Sequence, residues 1–118
     1  MRVLIADDQK SVGTALADLV SDCHHEVVEV VSSGLDAIHA FARHHPDVVL
    51  MDYWMPKLNG ATACRNILAK DPSARIILVS GCAPSEDLIN SGAFALLSKP
   101  VDFDRLYEAL YTAGPRRI

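Results

Sequence analysis

The segment VLIADD, residues 3–8, joins four apolar residues directly to two carboxylates. A short, uninterrupted apolar run predicts a β-strand that is covered on both faces. Residues 9–22 follow, and they carry Val12, Leu16 and Val20 at the spacing of one helical face. This part of the chain therefore predicts a strand, an acidic turn and a helix.

The same strand and helix unit recurs along the chain. Strands that alternate with helices favour right-handed crossovers and a parallel sheet with helices on both faces. The sequence therefore predicts an α/β fold of the (βα)5 type, a doubly wound parallel five-stranded sheet. The hydrophobic period places Leu35 and Phe41 on the inner face of the second helix, and Phe103 and Leu106 on that of the fifth. Further strands are predicted at 27–31, 48–51, 76–79 and 94–97, and further helices from 34 to the 44–46 stretch and at 59–70, 85–91 and 102–113.

The composition is that of one ordinary globular domain. The chain has 118 residues, of which 50% are hydrophobic, and a net charge of −4. A domain of this length can bury a core, and an acidic chain without a basic face is not expected to bind nucleic acid directly. Three cysteines without a C-x-x-C pair argue against a disulfide framework and favour a cytoplasmic location. We expect neither a membrane span nor a secretory signal, because no apolar run reaches the required length.

Polar residues end four of the predicted strands. Asp7 and Asp8 follow the first strand and Asp52 follows the third, while Ser80 and Lys99 end the fourth and fifth. Open parallel sheets bind ligands beyond the carboxyl ends of their strands. If the first strand lies beside the third, three carboxylates converge, and their mutual repulsion favours a bound divalent cation. All-oxygen ligands favour Mg²⁺, Mn²⁺ or Ca²⁺ over zinc.

These residue types can also build a site for an oxyanion attached to a carboxylate. An aspartate can attack phosphorus as a nucleophile, while a lysine and a metal stabilise the transferring group. Taken singly, each residue has an ordinary explanation, with Asp7 or Asp8 as a helix cap, Ser80 as a turn residue and Lys99 as a surface charge. Their occurrence together at predicted strand ends favours a functional site.

Several segments carry a resemblance to a known family, and together they span nearly the whole chain. They are residues 3–8, residues 50–52 with Met55-Pro56 and Gly60, Ser80, Gly92-Ala93 and residues 98–100. In this combination the chain resembles the receiver domain of bacterial two-component response regulators. The resemblance implies the flavodoxin-like strand order 2-1-3-4-5. It also implies a receiver domain over 1–113, with a C-terminal tail or the start of a linker over 114–118.

The resemblance also implies roles for the residues at the strand ends. Asp52 would be the phosphoacceptor, and Asp7 and Asp8 would hold Mg²⁺ together with Asp52 and the backbone carbonyl of Trp54. Ser80 would be the hydroxyl that turns toward the phosphoryl group. Such a domain assists its own phosphorylation and dephosphorylation and is not an enzyme that acts on other substrates.

Further implications concern the lysine and the partners. Lys99 would pair with the phosphoryl oxygens, and the bond between Lys99 and Pro100 is the candidate for a cis peptide. The phosphoryl donor would be a histidine kinase or a histidine phosphotransfer protein. The receiver would then switch its signalling surface toward a downstream protein target or a missing output domain. The sequence leaves a homodimer open.

The chain departs from the family pattern in three places. Leu96 stands where the family usually has an aromatic residue that rotates, although Phe94 lies on the same strand face. The stretch from Ser80 to the fifth strand is about three residues short, which removes nearly one turn of the fourth helix. Trp54 and Cys82 stand where smaller polar residues are common, and we hypothesise that they screen the water that hydrolyses the phosphoryl group.

Other functional classes compete with this interpretation. A receiver-like interaction module that phosphorylation does not regulate fits Leu96 and the short fourth helix, but not the complete set of strand-end residues. A phosphatase of the haloacid dehalogenase type needs a second aspartate at position 54, where the chain has Trp54. A flavodoxin needs a first loop that accepts a phosphate, which Asp7 and Asp8 would repel.

Overall fold

The computed structural model describes residues 1–114. Its five strands form a single parallel sheet in the order β2-β1-β3-β4-β5, which confirms the predicted fold and strand order. Of the predicted tail or linker, residues 115–118 lie outside the described part of the chain. The strands are β1 (Arg2–Ala6), β2 (Glu26–Val31), β3 (Val48–Asp52), β4 (Ile76–Ser80) and β5 (Ala95–Ser98). The helices are α1 (Lys10–Asp22), α2 (Gly34–His44), α3 (Gly60–Lys70), α4 (Glu86–Ile89) and α5 (Phe103–Ala113).

The core consists of two apolar layers, one on each face of the sheet. Every residue of β3 and β4 is buried, as expected for central strands that helices cover on both sides. Successive side chains of a strand, such as Leu50 and Met51, enter opposite layers. Helices α2, α3 and α4 close one layer, and α1 and α5 close the other.

Side-chain caps fix where several helices begin. Ser33 and Asn59 precede α2 and α3, and their side-chain oxygens accept hydrogen bonds from backbone N–H groups in the first turn. Ser85 and Asp102 do the same for α4 and α5, so these two helices begin one residue after the predicted starts at 85 and 102. Such caps satisfy backbone donors that have no partner within the helix.

The structure corrects two predicted boundaries on the side of the sheet where β5 forms the edge. The fourth helix is a single turn, Glu86–Ile89, and not 85–91, because Ser91 turns back and its hydroxyl donates to the carbonyl of Leu88. Strand β5 begins at Ala95 and not at Phe94. The ring of Phe94 lies under the guanidinium of Arg75, 4.7 Å from it, in a cation–π contact at the sheet edge.

Two apolar side chains that were predicted to face inward are exposed. Leu35 is 50% exposed because its neighbour Gly34 faces the backbone of Leu58, and a helix turns by about 100° per residue. Phe103 is 42% exposed because it is the first residue of α5 and lies at the edge of the buried face, to which Leu106 and Leu110 belong. Its ring instead stacks on a neighbouring tyrosine of the same helix.

None of the helices in the described residues 1–114 combines the length and the apolar character that crossing a membrane requires.

Candidate functional site

Three carboxylates meet at the carboxyl edge of the sheet. Strand β1 pairs directly with β3, with Ala6 beside Met51, so Asp7 and Asp52 follow neighbouring positions. Asp7 and Asp52 are buried and Asp8 is exposed. One carboxylate oxygen from each of the three aspartates lies within 4.8 Å of the others. The convergence predicted from the sequence is therefore present.

Lys99 places its ammonium group between the two buried carboxylates. Its Nζ atom lies 3.1 Å from Oδ1 of Asp52 and 3.4 Å from Oδ2 of Asp7. The backbone N–H of Lys99 donates to the carbonyl of Ser80 at 2.9 Å, which extends the pairing of β4 with β5 and aims the side chain at the site. The Lys99–Pro100 bond that follows is cis, as predicted.

Burial and charge shift the pKa values of the Asp52 and Lys99 side chains. Burial raises the pKa of Asp52 above its ordinary value, the hydrogen bond from Lys99 opposes the rise, and the negative charge of Asp7 adds to it. Burial alone would lower the pKa of Lys99, but its contacts with Asp52 and Asp7 outweigh burial, and the net shift is upward. Lys99 thus contacts two of the three converging carboxylates, and the three negative charges outnumber its one positive charge.

The donor set fits a hard divalent cation. All three converging side chains offer carboxylate oxygens. Mg²⁺ and Ca²⁺ prefer oxygen ligands, whereas zinc sites usually include nitrogen or sulfur ligands. Asp8 opens the cluster to solvent, which suits Mg²⁺ because this ion keeps several of its waters. A cation there would offset the repulsion that the single lysine leaves. The carbonyl of Trp54 as a further ligand stays a prediction.

Ser80 ends β4 next to the carboxylates, with its hydroxyl engaged in its own loop. The side chain is buried, and Oγ accepts a hydrogen bond from the backbone N–H of Cys82 at 3.1 Å. Asp52 pairs with Val79 across the sheet, so Ser80 lies one residue beyond that pair. Cys82 is exposed in the loop that follows. A switch role for Ser80 therefore requires its hydroxyl to leave Cys82.

The two positions that depart from the family pattern differ in their surroundings. Trp54 is 61% exposed, and its ring meets the ring of Tyr53 edge-on, with centroids 5.3 Å apart. Leu96 lies on the edge strand, 40% exposed, in a small depression that Ser80 and Leu88 also line. Its aliphatic side chain offers no hydrogen bond there.

One group beside the site was missed by the sequence analysis. The hydroxyl of Tyr53 donates to Oδ2 of Asp87 in α4 at 2.8 Å, and Nη2 of Arg65 in α3 lies 3.0 Å from Oδ1 of the same carboxylate. The hydrogen bond raises the pKa of Tyr53 and lowers the pKa of Asp87. The sequence showed only that Tyr53 adjoins Asp52. It did not show that Asp87 lies nearby, because the position of the short helix α4 could not be predicted from its own residues.

Comparison with protein families identifies the fold and the site together. Residues 3–111 match the family model of the response regulator receiver domain, which is most of the chain. The chain belongs to this family. The resemblance inferred from the sequence is therefore confirmed, and the carboxylate cluster of this receiver domain lies at the edge where open parallel sheets bind ligands.

The relatives of this receiver domain include chemotaxis proteins of similar length. It is 36% identical over 117 residues to the chemotaxis protein CheY of Listeria monocytogenes, covering 97% of this chain and 98% of that protein. A receiver domain protein from Clostridium thermocellum superposes with a TM-score of 0.85 at 30% identity, covering 95% of this chain and 92% of that one. CheY in a CheX-CheY-BeF3-Mg²⁺ complex from Borrelia burgdorferi gives a TM-score of 0.88 at 26% identity, covering 95% and 87%.

Proposed function

We propose that this receiver domain accepts a phosphoryl group on Asp52 from the phosphohistidine of a histidine kinase or a histidine phosphotransfer protein. The observation that carries the proposal is the position of the Asp52 carboxylate, buried between a lysine ammonium and two further carboxylates. The Borrelia relative, whose complex holds BeF3 and Mg²⁺, supports it. Because the chain belongs to a family of signalling domains, a role as a switch is favoured over that of an enzyme with a separate substrate.

The chemistry of the step follows from the side chains. A carboxylate oxygen of Asp52 forms the new O–P bond as the N–P bond of phosphohistidine breaks, and the imidazole nitrogen keeps that electron pair. Lys99 faces the carboxylate and neutralises charge on the transferring group. Asp7, Asp8, Asp52 and the carbonyl of Trp54 would hold Mg²⁺. When bound, this ion supplies positive charge to the phosphoryl oxygens.

The output of the switch is proposed to be a protein contact in the cytoplasm. Helix α4, strand β5 and helix α5 expose a run of large apolar side chains, which is unusual enough on a small domain to favour a partner. The run comprises Ile89, Leu96, Phe103, Tyr107 and Tyr111. A downstream protein or an output domain would cover this face when Asp52 is phosphorylated, and a homodimer is the alternative occupant.

A second candidate function is a receiver-like interaction module that ignores phosphorylation. Leu96 and the four-residue helix α4 favour it, because both alter the side of the domain that would respond. The intact carboxylate cluster favours the phosphoacceptor. Holding three like charges close together costs free energy, and a module that ignores phosphorylation would gain nothing from that cost.

Intact-protein mass after incubation with acetyl phosphate separates the two functions. The phosphoacceptor gains one phosphoryl group with Mg²⁺, and gains none with a chelator or in Asp52→Asn. Asp18→Asn, an exposed aspartate of α1, is the matched control and should gain the group as the wild type does. A folded wild type that gains nothing with Mg²⁺ present would leave the phosphorylation-independent module as the function.

A further inference from the structure

The backbone of Tyr53, the residue after Asp52, is hydrogen-bonded to β4 and to α3. Its backbone N–H donates to the carbonyl of Val79 in β4, and its carbonyl accepts from the N–H of Gly60, both at 2.8 Å. A Cβ atom at Gly60 would collide with the carbonyl oxygen of Asp52, so the start of α3 lies directly against this strand end. The backbone of Tyr53 is therefore bonded to both β4 and the start of α3, directly beside Asp52.

The side chain of Tyr53 reaches from this fixed backbone to α4. Its hydroxyl donates to one oxygen of Asp87, and the guanidinium of Arg65 in α3 binds the other oxygen. Hydrogen bonds to a charged carboxylate are shorter and stronger than those between neutral groups. The three side chains thus form one continuous polar bridge from Tyr53, the residue after the candidate phosphoacceptor, through α4 to α3.

Helix α4 depends on such contacts for its position. It has four residues, and a single turn has almost no helical stability of its own. Leu88 is the only residue of α4 that is buried, so the position of the turn depends on one apolar side chain and on the contacts of Asp87 with Tyr53 and Arg65. Leu96, on the neighbouring strand, has no hydroxyl or ring to replace that hydrogen bond.

We propose that Tyr53 is a positioning residue that transmits the state of Asp52 to α4 through its hydrogen bond to Asp87. The inference rests on the proposed function, because it needs a ligand at Asp52 that changes the position of the strand end. The bridge gives α4 two states, one with the Tyr53 hydroxyl bound to Asp87 and one with the bond broken. A phosphoryl group that favours one of them shifts the population.

The coupling must be reciprocal. If occupancy of Asp52 favours one state of the hydrogen bond between Tyr53 and Asp87, then removing the Tyr53 hydroxyl changes the affinity of the site for its ligand. Couplings of this kind commonly change affinity by about 5-fold or more. A merely structural hydrogen bond would destabilise α4 equally in the free and the occupied protein, and would leave the affinity unchanged.

The experiment combines two readouts on the full chain. Beryllofluoride with Mg²⁺ serves as the probe of the occupied site, and the fluorescence of Trp54, the only tryptophan, reports its binding. Hydrogen–deuterium exchange of the peptide that covers α4 reports the helix. The variants are Tyr53→Phe, Asp87→Ala and the double variant, because alanine at position 87 removes the acceptor that asparagine would keep. Asp18→Ala, which removes an exposed carboxylate from α1, is the matched control.

In the wild type and in Asp18→Ala, beryllofluoride should change α4 exchange by about 5-fold. Tyr53→Phe and Asp87→Ala should each lose that change, shift the beryllofluoride affinity by a similar factor, and show no further effect when combined. Asp87→Ala truncates a partly exposed surface side chain, so it keeps the test valid if Tyr53→Phe folds poorly.

Two results overturn the proposal, and they are distinguishable. If Tyr53→Phe binds beryllofluoride with wild-type affinity and keeps the full change in α4, the hydrogen bond does not transmit the state of Asp52. If the wild type itself shows no saturable fluorescence change with beryllofluoride and Mg²⁺, and also gains no phosphoryl mass, the proposed function fails and the positioning role fails with it.

Discussion

The ammonium nitrogen of Lys99 lies 3.1 Å from Oδ1 of Asp52, so the lysine that follows β5 neutralises the carboxylate that ends β3. The two residues are far apart in the sequence, and only the strand order 2-1-3-4-5 brings them together. Because Lys99 also lies 3.4 Å from Asp7, a single ammonium holds two buried negative charges. We therefore expect the proposed chemistry at Asp52 to depend on this one side chain.

Replacing Lys99 by methionine should slow the phosphorylation of Asp52 by about 100-fold, the usual cost of losing one group that stabilises a transition state. Methionine keeps most of the aliphatic stem and removes only the charge. The measurement is the initial rate of mass gain from acetyl phosphate at saturating Mg²⁺. Lys70→Met, at the exposed end of α3, should react at the wild-type rate. An unchanged rate in Lys99→Met would show that the contact is only structural.

Mg²⁺ should stabilise the folded domain, because its proposed site, the three converging carboxylates, is assembled only in the folded chain. At a concentration 100 times its dissociation constant the gain is about 2.7 kcal/mol. Thermal unfolding with Mg²⁺ and with a chelator measures the gain. Asp8→Asn should lose much of it, since the variant removes one of the three converging carboxylates, whereas Asp18→Asn should keep it. An equal gain in both variants would place the ion elsewhere.

The sequence was sufficient for the fold because each of its signals was local. The apolar runs of β1, β3 and β4 and the caps Asn59 and Asp102 act within a few residues, and these elements form close to where they were predicted. The convergence of Asp7 with Asp52 then followed from strand order, which family resemblance supplied. Sequence reasoning was less successful wherever a tertiary contact decided the outcome.

The fourth helix and the group around Asp87 illustrate that limit. The length of α4 depends on Ser91 turning back to Leu88, and its position depends on a tyrosine more than 30 residues earlier in the chain. Neither contact leaves a periodic signal in the sequence. Likewise, the outward direction of Leu35 is set by the close packing of Gly34 against Leu58, which hydrophobicity alone does not reveal.

The stability difference between the wild type and Asp52→Asn should depend on pH in the absence of Mg²⁺. Burial raises the pKa of Asp52 in the folded domain above its ordinary value, so the neutral carboxyl favours folding, and does so in full below that ordinary value. This contribution is lost as the pH rises through the folded pKa. Asparagine remains neutral throughout, and the wild type should therefore lose stability relative to the variant from about pH 4 upward. Urea unfolding at several pH values measures this difference, and a difference of the opposite sign would mean that Lys99 outweighs burial.

Replacing Trp54 by alanine should shorten the lifetime of the phosphorylated form. The reason is the hypothesis that this ring screens the attacking water, although the ring is largely exposed and leans on Tyr53. The measurement is the loss of phosphoryl mass after the donor is removed. Tyr111→Ala, which deletes a more exposed ring from α5, should lose the group at the wild-type rate. Equal lifetimes in the wild type and Trp54→Ala would rule out screening by the indole.

Replacing Gly60 by alanine should destabilise the domain by about 1–3 kcal/mol, the usual cost of overpacking. The added Cβ would collide with the carbonyl oxygen of Asp52, and α3 or the strand end must shift to accept it. Because alanine is otherwise the better helix former, any loss reports the collision and not the helix propensity.

Gly81→Ala is the matched control for this substitution, since a Cβ there meets nothing within 4 Å. Its stability should stay within about 0.5 kcal/mol of the wild type, as for most surface changes. Urea unfolding of both variants measures the effect on stability, and the rate of phosphorylation from acetyl phosphate measures the effect on the site. Because the collision falls on the backbone of Asp52 itself, Gly60→Ala should also slow phosphorylation. A stable variant with a wild-type rate would mean that the strand end shifts away from α3 at little cost, so that the contact with Gly60 does not fix the backbone of Asp52.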